Sequence, residues 1–343
     1  MDLLSFYGLF LAKIITIVIT LIVLLVMIPN LTKRGNNRAG KLILTRLDTY
    51  YLEIQDRINL EKMLPLEKKL WKKEYKKKEK KKQKELKQKN KVGHSTNKKK
   101  PTLYILDFIG SINAKEVSSL RQEISAIISV IEKGDEVLLR LESPGGVVHG
   151  YGLAASQLQR LRQKSIPLTI SVDKIATSGG YMMACVANYI VAAPFALIGS
   201  IGVVAQIPNF HRLLKRNKID MELHTAGEHK RTLTLFGENS TEGREKFCED
   251  LNQTHLLFKQ FVHQMRPQLN IDIVSTGEHW YGSQALEKGL VDHITTSDNW
   301  IMDKISEYNI ISLCYTQKKG ILDRFNHSIH HSMTQILEKF LRK

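Results

Sequence analysis

The sequence predicts an α/β fold with a largely parallel sheet, joined to an N-terminal transmembrane helix. Three observations carry this. Residues 3–28 are almost wholly apolar. Between residues 102 and 192, short strand-like apolar runs alternate with segments of helical apolar spacing, the order expected of βαβ units. A lysine-dense tract at 67–100 lies between the two, so the 343-residue chain divides into an anchor, a spacer and a globular part.

Leu3 to Ile28 contains one full charge, Lys13, which can snorkel toward an interface. At about 1.5 Å per residue this stretch crosses a hydrocarbon core of about 30 Å. It ends Val26-Met27-Ile28-Pro29-Asn30, without the small residues that precede a signal-peptide cut. A retained anchor over 3–28 is therefore expected. Lys33, Arg34, Arg38, Lys41 and Arg46 follow it, which favours a cytoplasmic C-terminal side.

Residues 29–66 form a membrane-proximal segment. Leu42, Leu47, Tyr50, Tyr51, Ile54 and Ile58 recur at near-helical spacing, and Gly40 to Met63 is predicted as one helix. Residues 67–100 then hold 17 lysines against 4 glutamates, thirteen of the chain's net +17. Such a composition buries too little apolar surface to order itself, so a disordered, solvated spacer is expected. Attraction to anionic lipid is a second reading. A nucleic-acid platform is not expected, because Trp71 and Tyr75 are the only aromatics interleaved.

The globular part is predicted over 101–300. Leu103–Phe108, Glu136–Leu141, Leu168–Val172 and Tyr189–Ala192 read as strands. Ala114–Ile131, Gly150–Gln163 and Ser178–Ala187 read as helices, and a further helix is expected from Thr241 to about Gln268. Tyr181 to Ile207 is apolar enough for a second span. Pro194, Gly199, Ser200 and Gly202 interrupt it, so a buried helix–strand–loop unit is expected. Residues 301–343 are assigned to a C-terminal extension, in which Leu322, Phe325, Ile329, Met333, Ile336 and Phe340 form an amphipathic stripe. Cys185, Cys248 and Cys314 are widely spaced, with no CxxC pair, which argues against a disulfide framework or a zinc site.

Three short motifs bear chemistry. Ala176-Thr177-Ser178-Gly179-Gly180 follows a strand and opens an apolar helix, similar to a nucleophile elbow with Ala in place of the first Gly. A serine there is more often a helix N-cap. Ser143-Pro144-Gly145-Gly146 also follows a strand, and its glycines leave backbone N–H groups free, as an oxyanion hole requires. A plain strand-to-helix turn fits equally. Lys230 lies in Gly227-Glu228-His229-Lys230-Arg231; a lysine serves as a base only when burial or neighbours lower its pKa. His229, with Asp173 or Asp220, is the competing arrangement.

In order, the strings SPGG, TSGGY, GSIGV and GEHKRTLT resemble the signal peptide peptidase A family of Ser–Lys peptidases, peptidase family S49, and its SohB branch. The resemblance covers nearly the whole chain. It implies a crotonase-like (ClpP-like) core in which Ser178 is the nucleophile, Lys230 the general base, and Ser200 the hydroxyl that orients the lysine. Gly145 and Gly146 match the oxyanion-hole turn, with the Gly179 N–H as a further donor. It also implies a serine endopeptidase of the cell inner membrane that needs no metal and no cofactor. The implied partners are peptide or protein substrates, membrane lipid, and copies of the same chain sharing active sites. Membrane-derived or signal peptides are the implied substrates. A non-catalytic peptide-binding membrane scaffold and an acyl-CoA enzyme of the same fold are the alternatives.

Overall fold

The computed structural model describes residues 8, 10, 11, 13–17, 20, 40–92 and 100–316. The described residues between 8 and 20 are helical. The anchor expected at 3–28 otherwise falls outside the described residues. Among those described, no helix is long and apolar enough to cross a membrane. The stripe from Leu322 to Phe340 also lies outside them.

From residue 41 the elements run β1 (Lys41–Arg46), α1 (Leu47–Lys62), α2 (Pro65–Val92), β2 (Thr102–Ile109), α3 (Val117–Val130), β3 (Glu136–Glu142) and α4 (Val148–Gln163). Next come β4 (Leu168–Val172), β5 (Ile175–Thr177), α5 (Gly179–Ala184), β6 (Tyr189–Ala192), β7 (Leu197–Gly199) and α6 (His211–Arg216). The remainder is α7 (Thr241–Met265), α8 (Ile271–Val274), β8 (His279–Tyr281), α9 (Gly282–Glu287), β9 (His293–Ile294), α10 (Ser297–Lys304) and β10 (Asn309–Thr316).

The large sheet has the order β1-β10-β2-β3-β4-β6-β9. Every pairing from β10 across to β9 is parallel. Parallel strands joined by helical crossovers are covered on both faces, which is why they read as continuous apolar runs. Leu103 to Leu106 in β2, Val137 to Leu139 in β3 and all five residues of β4 are buried accordingly. The crossovers α3 and α4 turn Leu120, Ile124 and Ile127, and Tyr151, Ala154, Leu158 and Leu161, inward.

A second, three-stranded sheet runs β5-β7-β8. β5 and β7 are parallel, with Thr177 opposite Gly199. That register brings the residues after each strand, Ser178 and Ser200, out at the same edge. Of the region read as a possible second span, α5 is wholly buried and β6 largely so, whereas residues 204–207 are exposed.

Three expectations change. Gly40 to Met63 is not one helix: Lys41 to Arg46 forms the edge strand β1 beside β10, and the helix begins only at Leu47. The partner strand lies some 270 residues away, so local spacing carries no sign of it. The lysine tract, expected to be disordered, is helical from Pro65 to Val92. Lys, Glu and Gln are good helix formers, and Pro65 stands at the first helical position while Glu67 accepts the Leu64 N–H at 2.9 Å. The folded part also passes residue 300: Ile301 is fully buried, and β10 lies within the large sheet between β1 and β2.

At the other side of the sheet, Arg266 ends α7 with its side chain almost sealed. It donates to both carboxylate oxygens of Asp292, at 2.8 and 2.7 Å, and to Gly289 O at 2.9 Å. Asp292 also accepts the Ile190 N–H at 2.7 Å, tying α7 to β6. Removing one member of such a pair leaves a buried charge. Arg266→Ala is expected to lower the free energy of unfolding by about 3–5 kcal/mol, read from chemical denaturation of the full chain.

Candidate active site

Ser178 sits where β5 ends and α5 begins, with φ 54° and ψ −119°. A non-glycine residue at positive φ costs about 1–3 kcal/mol and persists only where its surroundings impose it. Here the Ser178 N–H donates to Gly199 O at 2.8 Å, and its carbonyl accepts the Met182 N–H at 3.0 Å. The hydroxyl makes no capping bond. The ordinary use of a serine at a helix start is therefore not the one made of Ser178.

Ser200 repeats the arrangement one strand over. It has φ 51°, follows Gly199 at φ 102°, and its N–H donates to Glu278 O. Ser178 and Ser200 line a single cavity of ≈ 910 Å³. Its walls include Ile112, Val147, Val148, Met182, Val203, Val204 and Phe258. Gly145, Gly146 and Gly179 line it as well.

The three glycines differ in what they offer. The Gly145 N–H is already committed, donating to Ser143 Oγ at 3.1 Å. Gly145 contributes space instead: at φ +86°, a Cβ there would stand 2.7 Å from Gly179 N and 2.8 Å from Ser178 Cβ. The N–H groups of Gly146 and Gly179 have no hydrogen-bond partner among the described residues. Two unclaimed donors thus border the cavity that holds Ser178. The turn that presents them is pinned by Thr177 Oγ1 donating to Pro144 O at 3.1 Å and by Val147 N donating to Ile112 O at 2.9 Å.

Lys230 is not brought to this cavity within one chain. It lies exposed in a turn, its N–H donating to Gly227 O at 3.2 Å, and it is not a lining residue. His229 and Asp220 are exposed in the same segment. Asp173 is occupied elsewhere, accepting from Ser297 N at 2.8 Å and from Ser297 Oγ. The Ser–His–Asp arrangement around His229 is therefore not assembled.

Lys230 belongs to an arm, residues 204–240, that folds mainly on itself. Phe210 stacks on Phe236 at 6.0 Å, and Asn209 Nδ2 donates to Thr234 O and Gly237 O. Val204 is 83% exposed, and Leu213, Ile219 and Met221 are each more than half exposed. α6 buries no residue.

One cavity residue was not singled out as functional from the sequence. His255, on α7, reads as part of the apolar stripe Phe247, Leu251, Phe258 and Val262. In the fold it lines the Ser178 cavity, and its Nε2 is sealed from solvent without a partner among the described residues. Helical spacing alone does not separate such a residue from core.

Residues 2–158 match the peptidase family S49 N-terminal model and residues 160–309 the peptidase family S49 model. A probable protease SohB of Buchnera aphidicola subsp. Schlechtendalia chinensis is 57% identical over 307 residues, covering 89% of this chain and 100% of that one. The relative of the same description in Buchnera aphidicola subsp. Acyrthosiphon pisum is 56% identical, covering 99% of this chain and 98% of its own. That of Haemophilus influenzae is 48% identical, covering 100% of this chain and 97% of its own.

The Gly145 geometry can be probed directly. Gly145→Ala places a methyl group over the Gly179 N–H and strains a positive φ. Peptide turnover is expected to fall about 100-fold, the cost typical of one lost oxyanion donor, measured as kcat on a fluorogenic peptide.

Proposed function

The chain belongs to peptidase family S49, and on that premise we propose that it is a membrane-anchored serine endopeptidase using a Ser178–Lys230 dyad. The observation that carries the reading is Ser178 itself: a strained serine with an uncommitted hydroxyl, beside two unclaimed backbone N–H groups, in a cavity open to a peptide.

In this reading neutral Lys230 takes the Ser178 proton as Oγ attacks a peptide carbonyl. The Gly146 and Gly179 N–H groups hold the oxyanion, and Gly145 keeps their approach clear. The lysinium then protonates the leaving amine, and water releases the acyl-enzyme. Ser200, emerging beside Ser178, holds the lysine in line. The parallel sheet with its βαβ crossovers supports the crotonase-like core that goes with this mechanism.

Lys230 reaches the site from a neighbouring copy of the chain. The support is its exposure, its absence from the cavity lining, and the exposed apolar surface of the arm that bears it. Burial against the neighbour's cavity is what frees the lysine to act as a base. The apolar run at 3–28 supports a retained anchor in the inner membrane. The apolar cavity walls suit membrane-derived or signal peptides.

One observation favours a second reading, in which His255 is the base within a single chain: its unpaired Nε2 and Ser178 line the same cavity. Mixing separates the two. Ser178→Ala and Lys230→Ala are each expected to be inactive. Co-assembled in equal amounts, they should recover about a quarter of wild-type activity, the share of random interfaces pairing an intact serine with an intact lysine. No recovery argues against a shared site. Full activity of Lys230→Ala together with loss in His255→Ala establishes the second reading, and an active Ser178→Ala ends both.

A further inference from the structure

Beneath the Gly145 turn lies a hydrogen-bond chain whose direction is fixed by counting protons. Tyr151 Oη donates its one proton to Ser111 O at 2.9 Å. Toward Ser143 Oγ, 2.6 Å away, the phenol must therefore accept, so Ser143 donates to it. Ser143 Oγ in turn accepts the Gly145 N–H at 3.1 Å. The relay runs one way, from Gly145 N–H to Ser143 Oγ–H to Tyr151 Oη–H to the Ser111 carbonyl. Ser143 and Tyr151 are both fully buried. Burial pushes the Tyr151 phenol above its usual range, so it keeps the proton the relay needs.

The same tyrosine also backs the other side of the site. A Cβ at Gly179 would stand 2.4 Å from Tyr151 Cγ, so the ring lies directly against that residue. Gly110 leaves room for the relay: a Cβ there would stand 2.5 Å from Tyr151 Oη and 2.6 Å from Ser143 Oγ. Tyr151 thus reaches both donor-bearing elements, through its hydroxyl to the Gly145–Gly146 turn and through its ring to Gly179. It is not among the residues that line the cavity.

We propose that Tyr151, acting through Ser143, is the positioning residue that sets the spacing between the Gly146 and Gly179 N–H groups. Anchoring the Gly145 N–H on Ser143 fixes one peptide plane of the turn. Gly145 is held at positive φ, and the next residue, Gly146, lines the cavity with its N–H unclaimed among the described residues. Freed from Ser143, the turn is able to rotate, and the two donors cease to converge on one oxygen. Misplacement of about 1 Å in such an arrangement is enough to cost a large part of the rate. Buried hydrogen-bond chains also polarise along their length, so the relay acts as a unit.

This inference rests on the Ser178 mechanism proposed above, and its test separates the two. In the full chain, Tyr151→Phe keeps the ring against Gly179 and removes the hydroxyl, and Ser143→Ala removes the middle of the relay. Each is expected to lower kcat about 10-fold with KM changed less than about twofold. Affinity for a peptide aldehyde, which forms an oxyanion on Ser178, should fall in parallel with kcat. Binding of the corresponding peptide alcohol should not change, a split that a general loss of structure does not produce. The double variant should be no worse than the poorer single one, because both cut the same relay. If Tyr151→Phe fails to fold, Ser143→Ala carries the same test. Wild-type kcat and aldehyde affinity in the folded variants, with Ser178→Ala inactive, overturn the relay alone. Activity in Ser178→Ala overturns the mechanism on which it rests.

Discussion

The hydrogen bond from Ser178 N–H to the Gly199 carbonyl is the constraint on which the site depends. It extends the β5–β7 register one residue beyond the last strand pair. Two residues leave that edge together, Ser178 and Ser200, and both have positive φ. Neither conformation is stable by itself. Each is held because the strand before it is paired and the segment after it is fixed, Ser178 by the buried helix α5 and Ser200 by its bond to Glu278 on the approach to β8. The small sheet thus works as a clamp on two strained serines, while the large sheet behind it supplies the rigidity. The Arg266–Asp292 pair joins that rigidity to α7, the helix carrying His255 and Phe258 into the cavity.

Much of this was legible in the sequence for a definite physical reason. Parallel strands covered on both faces produce uninterrupted apolar runs, and β2, β3, β4 and β6 were read at or within a residue of their observed limits. The helices between them announce themselves by period and by the turn residues at their ends. What was missed depends on distant partners or on the absence of competition. β1 is a strand only because β10 lies beside it. The lysine tract lacks the apolar surface for a core, yet a helix needs none when its residues individually favour that state.

The site divides along the same line. Ser178 and the glycines stand out in the sequence as short motifs after strands, whereas Ser200 was reached only through the family resemblance; in the fold Ser178, Ser200 and Gly145 have positive φ, and Gly146 and Gly179 are closely approached. Gly145 gained a different role, since its N–H is spent on Ser143 and its contribution is the missing side chain. Tyr151 left no trace in the sequence. It occupies an apolar position of an amphipathic helix, where a tyrosine reads as core. Its hydroxyl acquires meaning only when the ends of β2 and β3 place Ser111 and Ser143 around it.

Lys230 is the instructive disagreement between motif and single-chain geometry. A residue matched to a base but left in solvent invites the conclusion that the match is accidental. The surrounding arm argues otherwise. A solvated loop has no reason to carry Val204, Phe210, Leu213, Ile219 and Met221 at the surface, where each apolar side chain forgoes the gain of burial. The arm carries exposed apolar surface and a cation, while the cavity has apolar walls, Ser178 and His255 but not Lys230. On the proposed Ser–Lys reading the simplest arrangement that brings the two together is repetition of the same chain, with every arm serving the next cavity. On that same reading assembly is a condition of chemistry, because within one chain Lys230 lies exposed and outside the Ser178 cavity.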